Sequence, residues 1–448
     1  MSGKLEAQVR SGHFDAGMGT IPSRNIDVII HIGLPKTGSS AIQKLCLENK
    51  AVLAEHSYCY PKHAIDKNGV SGGHSSLFKT LRDDGVDAFR QSLNTLLIKA
   101  KQKNQILLLS SEGLSQNPEE LHEATKGLNV IIIAFFRHPV EAFFSAYNQM
   151  VKRHFFTKKI DDYAERAIRN VQPFLSGRHL FDWQQLFAEN FILFPYLSSD
   201  KIEHNVVHKF FSCLGIQPAR FPSDTFVARI NSGYCLAALK LKRLMNLVLT
   251  EKDERINLRL DLFFQRISDA QTYDASSSDS LISEDAYDRL CKKFQADITE
   301  LESAFAIDMC FKPSQCNKSV SSLKISAEMI EIMRLFISEE NTLYKRLRKR
   351  ILAKTWFSDD ADHKQLCELF DCHYVLQARE KNVFFTDKEL GKMARFDRVD
   401  FLRETARLLM QRGDYKNAML LISEAKRLRA GGPVIKRLYS QIQKLNES

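Results

Sequence analysis

The sequence predicts an α/β fold, in which helices cover both faces of a parallel β-sheet, followed by an all-α C-terminal region. Two observations support this prediction. Short continuous apolar runs alternate with stretches whose apolar residues recur at helical spacing. Continuous rather than alternating apolar runs are typical of parallel strands, because such strands are buried on both faces.

Four apolar runs are predicted to be strands, separated by helical patterns. They begin at Asp27, Gln105, Asn129 and Phe191. The first three end in polar or turn-forming motifs at residues 33–40, 110–112 and 137–139. Parallel sheets bind ligands beyond the carboxyl ends of their strands, so these motifs are candidates for a single site.

Beyond about Asn231 the pattern is helical. Residues 270–280 and 312–322 have loop composition, so we place a domain boundary near residues 309–322. The predicted parts are a disordered tail (1–25), an α/β domain (26–310) and a helical C-terminal region (323–448).

Within the C-terminal region, residues 401–443 resemble a single tetratricopeptide-like helical hairpin. The resemblance is carried by Gly413, Asp414, Tyr415, Ala418, Ala425 and Pro433. A single hairpin cannot bury its own apolar face, so we expect it to pack on the main domain, on a second subunit or on a protein partner. An ordinary hairpin with no recruiting role stays open.

Composition places limits on the class of protein. The chain has 448 residues, enough for two or three domains with buried cores. Its 44% apolar and 26% charged residues exclude disorder over most of its length. The formal net charge of +10 favours an anionic partner, without distinguishing nucleotide, glycan, nucleic acid and membrane surface.

The sequence gives no sign of membrane insertion or secretion. The longest apolar run, 130–136, is far shorter than the roughly 20 residues that a membrane-spanning helix requires. Residues 1–25 lack the apolar stretch of a secretory signal. The nine cysteines form no CxxC pair, which is typical of thiols in a reducing compartment. We therefore expect a cytoplasmic protein.

The first motif, GLPKTGSS, has the composition of an anion-binding loop. Between a strand and a helix, its backbone N–H groups face outward together with the positive end of the helix dipole. Glycine lets the backbone approach an anion, hydroxyls add donors, and lysine adds a full charge. The predicted phosphate-binding residues are Pro35, Lys36, Thr37, Gly38, Ser39 and Ser40. A plain tight turn is the alternative.

The position of the lysine distinguishes two kinds of phosphate loop. A loop for ATP or GTP has lysine directly after its second glycine, whereas here Lys36 precedes Gly38. HIGLPKTGSSAIQ closely resembles the 5′-phosphosulfate loop of sulfotransferases that use 3′-phosphoadenosine 5′-phosphosulfate (PAPS). That family also has an Arg at a strand end and a Ser on the next helix, which Arg137 and Ser145 match in FFRHPVEAFFSAYNQ. An Arg fork and a hydroxyl suit the 3′-phosphate.

The resemblance covers about residues 26–308 and implies a three-layer, P-loop-type sheet. It also implies transfer of a sulfuryl group from PAPS to an acceptor oxygen or nitrogen, leaving adenosine 3′,5′-bisphosphate, with no metal required. Lys36 is then expected to neutralise charge on the bridging oxygen. Three softer features look like the bacterial carbohydrate branch: Tyr60-Pro61 with the later Gly73-His74, residues 110–114, and Asn231 with Ser232 at the start of a long helix. We therefore expect a hydroxyl of a glycan or glycoconjugate as acceptor.

A hydroxyl acceptor requires a base. Glu112 is the first candidate, because it follows a predicted strand end where glycan sulfotransferases of this type place a glutamate. His74 is the second, because cytosolic small-molecule sulfotransferases use a histidine and residues 71–74 form a flexible-looking loop. The alternatives are a helix N-terminal charge for Glu112 and an ordinary loop histidine for His74.

Other basic residues leave several interpretations open. No clear late basic glycine loop is present, and Lys312 is the candidate to complete the 3′-phosphate site. Lys152, Arg153, His154, Lys158 and Lys159 are interpreted as a solvated helix end, or else as residues that attract an acidic glycan. Residues 345–354 are interpreted as a solvated amphipathic helix, or else as a patch for an anionic polymer or for peripheral contact with a membrane. No nucleic-acid partner is expected.

Two other functions stay open. One is a P-loop small-molecule kinase, in which Glu112 would be the acid near magnesium. The other is a non-catalytic nucleotide-binding scaffold that recruits partners through the helical tail. The register of Lys36 argues against the first, and the intact set of candidate site residues argues against the second.

Overall fold

A computed structural model of the protein describes residues 25–65, 71–197, 205–221, 233–270, 281–311, 325–354, 360–374 and 396–447. Most of the predicted tail, the predicted loops at 271–280 and 312–322, Asn231, Ser232 and Lys312 lie outside the described residues. The described residues divide into two compact units. The first comprises those up to residue 354 together with 360–374, and the second comprises 396–447.

Five parallel strands form one sheet in the order β2-β3-β1-β4-β5. The strands are β1 (Val28–His31), β2 (Tyr58–Cys59), β3 (Ile106–Ser110), β4 (Val130–Arg137) and β5 (Phe191–Tyr196). The predicted α/β fold with a parallel sheet is confirmed. The four strands predicted from apolar runs are all present, and β2 has only two residues, too few for a recognisable pattern.

The helices of the first unit are α1 (Ser39–Glu48), α2 (Lys50–Glu55), α3 (Ser75–Asp84), α4 (Val86–Lys101), α5 (Pro118–Ala124), α6 (Pro139–Arg153), α7 (Ile160–Arg169), α8 (Pro173–Ser176), α9 (His179–Phe187), α10 (Val206–Cys213), α11 (Leu236–Asn246), α12 (Glu254–Ala270), α13 (Glu284–Phe305), α14 (Ala327–Glu339), α15 (Asn341–Ala353) and α16 (Ala361–Leu369). Those of the second unit are α17 (Arg398–Gln411), α18 (Tyr415–Leu428) and α19 (Pro433–Glu447). No helix within the described ranges has both the length and the apolar character that a bilayer crossing requires.

The two faces of the sheet carry separate apolar cores. Ile29 of β1 packs in the core that α1, α2 and α10 cover, whereas Val28 and Ile30 pack in the core that α3, α4, α5 and α9 cover. The connection that leaves β1 therefore lies on the opposite face from those that leave β2, β3 and β4. This reversal occurs at the carboxyl end of β1, and open α/β sheets bind ligands at such positions.

Helices α14, α15 and α16 belong to the first unit, although composition suggested a boundary near residues 309–322. Phe336 of α14 packs against Phe263 of α12, with ring centroids 5.3 Å apart. Arg243 of α11 binds Asp362 of α16 through two hydrogen bonds of 2.6 and 2.8 Å. These contacts attach residues on both sides of the expected boundary to one core.

Three of the six basic residues at 345–354 make contacts inside the first unit. The guanidinium of Arg348 donates to the backbone carbonyl of Phe370 at 3.0 Å, and that of Arg350 binds Asp253 at 2.6 Å. Lys354 donates to a backbone carbonyl at the end of α11. These three cations therefore attach α15 to neighbouring elements, and fewer are left for an anionic polymer or a membrane surface.

The second unit buries an apolar core of its own. Helices α17 and α18 form a hairpin at Gly413, whose φ of 80° is in the left-handed region that favours glycine. Helix α19 packs on α18, so the hairpin expected at 401–443 is part of a three-helix unit. Its buried apolar residues are Ala406, Leu409, Ala418, Ile422, Ala425, Ile435, Leu438 and Ile442.

Candidate functional site

The loop between β1 and α1 lies at this reversal and has an unusual backbone. Lys36 has a left-handed φ of 71°, which costs a non-glycine residue about 1–2 kcal/mol. Gly38 is the N-cap of α1 with a φ of 77°, and no side chain caps the helix there. A Cβ on Gly38 would lie 2.7 Å from Val206, so only glycine fits. The N–H of Ala41 already donates to the carbonyl of Gly38 at 2.9 Å, so the N–H groups of Ser39 and Ser40 are the ones suited to bind an anion.

The loop hydroxyls make contacts within the protein. Thr37 Oγ1 donates to the carbonyl of Leu34 at 2.6 Å, and Ser40 Oγ donates to the carbonyl of Ser71 at 3.2 Å. Pro35 is half-buried at the turn before Lys36. Thr37 and Ser40 thus hold the loop in shape, and the donors that remain for an anion are mainly backbone N–H groups and Lys36.

Glu112 begins the 3-10 turn that directly follows β3. Its carboxylate accepts a hydrogen bond from Ser39 Oγ, the first residue of α1. Burial raises the pKa of Glu112, while the Ser39 hydrogen bond and the charge of Lys36 act against that rise. The structure thus brings the predicted base together with the predicted phosphate loop.

The ammonium group of Lys36 is largely buried, near one carboxylate and three other cations. Burial lowers the pKa of Lys36 to about 8; Glu112 opposes this effect, and the positive charges of Arg153, Arg137 and Lys152 add to it. An anion bound next to Lys36 would relieve the repulsion between Lys36 and the three other cations, because a nearby negative charge favours the charged form of each.

Arg137 points toward the loop that holds Lys36. It ends β4, and its Nη1 donates to the carbonyl of Lys36 at 3.4 Å. Its Nε pairs with Glu141 at 3.2 Å, and its guanidinium lies 4.8 Å from the centre of the Tyr196 ring. Ser145 lies one turn of α6 beyond Glu141, on the same side of the helix, and is half-buried.

His74 is held by backbone groups on both sides of its ring. Nδ1 accepts from the N–H of Ser110 at 3.1 Å, and Nε2 donates to the carbonyl of Pro61 at 3.2 Å. Burial lowers the pKa of His74 to about 4, so the ring is neutral at pH 7. In this position His74 joins the start of α3 to the end of β3, and proton transfer to it would break one of these contacts.

A buried network below the site was not found from the sequence. The hydroxyl of Ser110 lies 2.9 Å from His31 Nδ1 and accepts from Gln43 Nε2 at 3.0 Å. His31 and Gln43 are both fully buried. The signal available in the sequence was that His31 and Ser110 are polar residues in otherwise apolar runs. The network fixes the end of β3, from which Glu112 projects.

Gly73 provides a test of this packing. A Cβ there would lie 2.2 Å from the carbonyl oxygen of Ser110, and its φ is 59°. We expect Gly73→Ala to lower the free energy of unfolding by about 2–5 kcal/mol, combining left-handed strain with overpacking. Gly127→Ala is the matched control, because Gly127 has a φ of 84° and nothing within 4 Å, so about 1–2 kcal/mol is expected. Equal losses in urea denaturation would contradict this account.

The C-terminal end of α6 does not form a uniformly solvated basic patch. Lys152 is buried, with its ammonium 3.4 Å from Asp261 and 5.0 Å from the centre of the Tyr234 ring. Arg153 lies 4.0 Å from the same carboxylate. The solvated interpretation is therefore wrong for Lys152. The exposed members of the set are His154, Lys158 and Lys159.

Lys312 lies outside the described residues, so the structure does not place this candidate. Phe311, which precedes it, stacks on the ring of His138 with centroids 3.5 Å apart. That contact lies at the end of β4, next to Arg137.

Comparisons with known proteins gave no match. No protein-family model matches the sequence, and no significant match was found among curated proteins or among solved structures. The fold and site define the protein as a parallel α/β protein with a lysine-bearing loop at the sheet reversal.

Proposed function

We propose that the protein is a P-loop-type sulfotransferase that uses PAPS and acts on a hydroxyl group of a carbohydrate or glycoconjugate. One observation carries the proposal: the guanidinium of Arg137 donates to the carbonyl of Lys36, although the two residues are 101 positions apart. The two motifs that resemble the phosphate-binding elements of sulfotransferases therefore meet at one edge of the sheet.

The residues present fit a nucleotide with phosphate at both ends of its ribose. The uncapped first turn of α1 and Lys36 would hold the 5′ end, and Arg137 with Ser145 would hold the 3′-phosphate. The left-handed backbone at Lys36 and the lack of space for a Cβ at Gly38 shape this loop. PAPS, when bound, supplies the sulfuryl group that is transferred.

Glu112 is the group best placed to accept a proton. It accepts the hydroxyl proton of the acceptor as the acceptor oxygen bonds to sulfur and the bridging S–O bond breaks. Lys36 stabilises the negative charge that the departing phosphate oxygen gains. Base assistance of this kind contributes roughly a hundredfold or more, and a positioned charge about 3 kcal/mol of barrier.

The experiment that tests the proposal is thermal-shift titration with adenosine 3′,5′-bisphosphate beside ATP with magnesium. Binding to the native state alone, at a hundredfold to a thousandfold excess over Kd, adds roughly 3–4 kcal/mol of stability. We therefore expect a rise of several degrees with the bisphosphate, which Lys36→Ala and Arg137→Ala each reduce.

Lys101→Ala is the matched control for Lys36→Ala. Lys101 pairs with Asp27 at 2.7 Å, at the amino end of β1, whereas the loop that holds Lys36 follows the carboxyl end of that strand. Lys101→Ala is therefore expected to leave the thermal shift intact. An equal or larger shift with ATP and magnesium would contradict the proposal and favour a kinase.

A further inference from the structure

We propose that the hydroxyl of Ser39 couples occupation of the phosphate loop to the proton-accepting state of Glu112. In the structure this hydroxyl donates to Glu112. When a phosphate is bound at the start of α1, the same hydroxyl turns to a phosphate oxygen and Glu112 loses its donor. This inference rests on the proposed function, because it assumes that a phosphate of the nucleotide binds there.

The position of Ser39 suits it to serve both groups. Ser39 is the first residue of α1, so its own N–H belongs to the first turn, where an anion would bind. A Cβ on Gly33 would lie 2.9 Å from Ser39 Cβ and 3.5 Å from Glu112 Cγ. The absence of a side chain at Gly33 therefore lets the serine and the glutamate approach each other.

A serine hydroxyl has one proton and can donate to one strong acceptor at a time. The 5′-phosphosulfate group of PAPS carries two negative charges, against one on a carboxylate, and it is also held by the N–H groups and by Lys36. It therefore competes successfully for the Ser39 proton. Glu112 then stays buried with one stabilising hydrogen bond fewer.

The charged, titratable and hydrogen-bonding groups around Glu112 come from four elements. Lys36, from the loop, favours the ionised carboxylate, as does the Ser39 hydrogen bond from α1, whereas burial opposes ionisation. His31 of β1 also lies close to Gly33, and burial lowers its pKa to about 3, so it is neutral. His74 at the start of α3 is also neutral. Of these groups, only Ser39 and Lys36 change partners when a phosphate binds.

The consequence is an ordered activation of the base. Before the donor nucleotide binds, Ser39 and Lys36 oppose the rise that burial causes in the pKa of Glu112, so Glu112 is a weaker base than it would be without them. After the nucleotide binds, both Ser39 and Lys36 turn toward it, and Glu112 takes up a proton more readily. The base is therefore strongest when the sulfuryl donor is present.

Isothermal titration calorimetry measures this coupling directly. Adenosine 3′,5′-bisphosphate is titrated into the full chain at about pH 6, in buffers that differ in ionisation enthalpy, which gives the protons taken up on binding. Lys36 is already charged at that pH, so it contributes little. The uptake by wild type minus that by Glu112→Gln isolates Glu112. We expect a positive difference that falls at least twofold in Ser39→Ala and is retained in Ser39→Thr.

The possible results separate the two proposals. If the bisphosphate binds and Ser39→Ala leaves the uptake unchanged, the coupling is refuted and the proposed function stands. If wild type does not bind the bisphosphate, the proposed function fails. If Ser39→Ala alone prevents binding, infrared titration of the Glu112 carboxyl band in the free protein decides: a midpoint at higher pH than in wild type supports the coupling, and an unchanged midpoint refutes it.

Discussion

Asp362→Ala is expected to lower the free energy of unfolding of the first compact unit by about 3–5 kcal/mol, because it leaves a buried guanidinium without its partner. Arg243 binds Asp362 through two hydrogen bonds of 2.6 and 2.8 Å, and the side chains are 11% and 9% exposed. The same guanidinium also donates to the carbonyl of Thr157 at 3.0 Å. Denaturation by urea, followed by circular dichroism, measures the loss.

Glu339→Ala is the matched control. Glu339 pairs with Arg266 between α12 and α14, but the two side chains are 40% and 56% exposed. Surface pairs of this kind contribute about 0–1 kcal/mol. A loss in Asp362→Ala no larger than that in Glu339→Ala would contradict the assignment of the buried pair as a main attachment of α16.

The buried pair also determines a pH dependence. Burial opposes ionisation of Asp362, yet the hydrogen bonds and charge of Arg243 hold its pKa below the ordinary value. A carboxyl group with a lowered folded-state pKa contributes stability that is present above its unfolded pKa of about 3.9 and is lost as pH falls through the folded value. Below about pH 4, the stabilities of wild type and Asp362→Ala should therefore converge.

Local sequence patterns were sufficient for four of the five strands of the sheet. Continuous apolar runs predicted β1, β3, β4 and β5, because burial on both faces imposes that pattern on each parallel strand by itself. They did not predict β2, where Tyr58 and Cys59 are too few to form a pattern. The strand order follows from the connections between strands, which composition does not record.

Contacts between distant residues were not visible in the sequence. The boundary expected near residues 309–322 was inferred from loop composition, whereas Arg243 and Asp362 join segments on its two sides across 119 positions. Lys152 was placed on a solvated helix end because its neighbours in sequence are basic. Its actual environment is set by Asp261, which comes from α12.

In the candidate site, too, the features set by local pattern were predictable and those set by contacts between distant residues were not. The motifs of Lys36, Glu112 and Arg137 were identified because each follows a predicted strand, and the parallel sheet brings all three to one edge. The hydrogen bond from Ser39 to Glu112 spans 73 positions. It depends on how closely α1 approaches the end of β3, which only the folded chain determines.

Lys36→Ala is expected to lower kcat by about 10²–10³-fold, in addition to weakening nucleotide binding, because it removes the charge nearest the predicted leaving oxygen. Sulfuryl transfer from PAPS to a glycan panel, assayed at saturating nucleotide, measures the chemical step separately from binding. Lys101→Ala is again the control and should retain the wild-type rate, since its ion pair lies at the amino end of β1. An unchanged kcat in Lys36→Ala would show that Lys36 takes no part in the chemical step.

The dependence of kcat/KM on pH distinguishes a role for the positive charge of Lys36 from a purely steric role of its side chain. Burial lowers the pKa of Lys36 to about 8 in the free protein, so the ammonium form is present below that pH and is lost above it. We therefore expect kcat/KM to fall as pH rises through about 8, because kcat/KM reports the ionisation of the free enzyme. In Lys36→Arg the guanidinium stays charged throughout, so the alkaline fall should move upward by several pH units even if the rate is lower. An alkaline limb that stays near pH 8 in Lys36→Arg would assign the titration to another group and leave the lysine as a spacer of the loop.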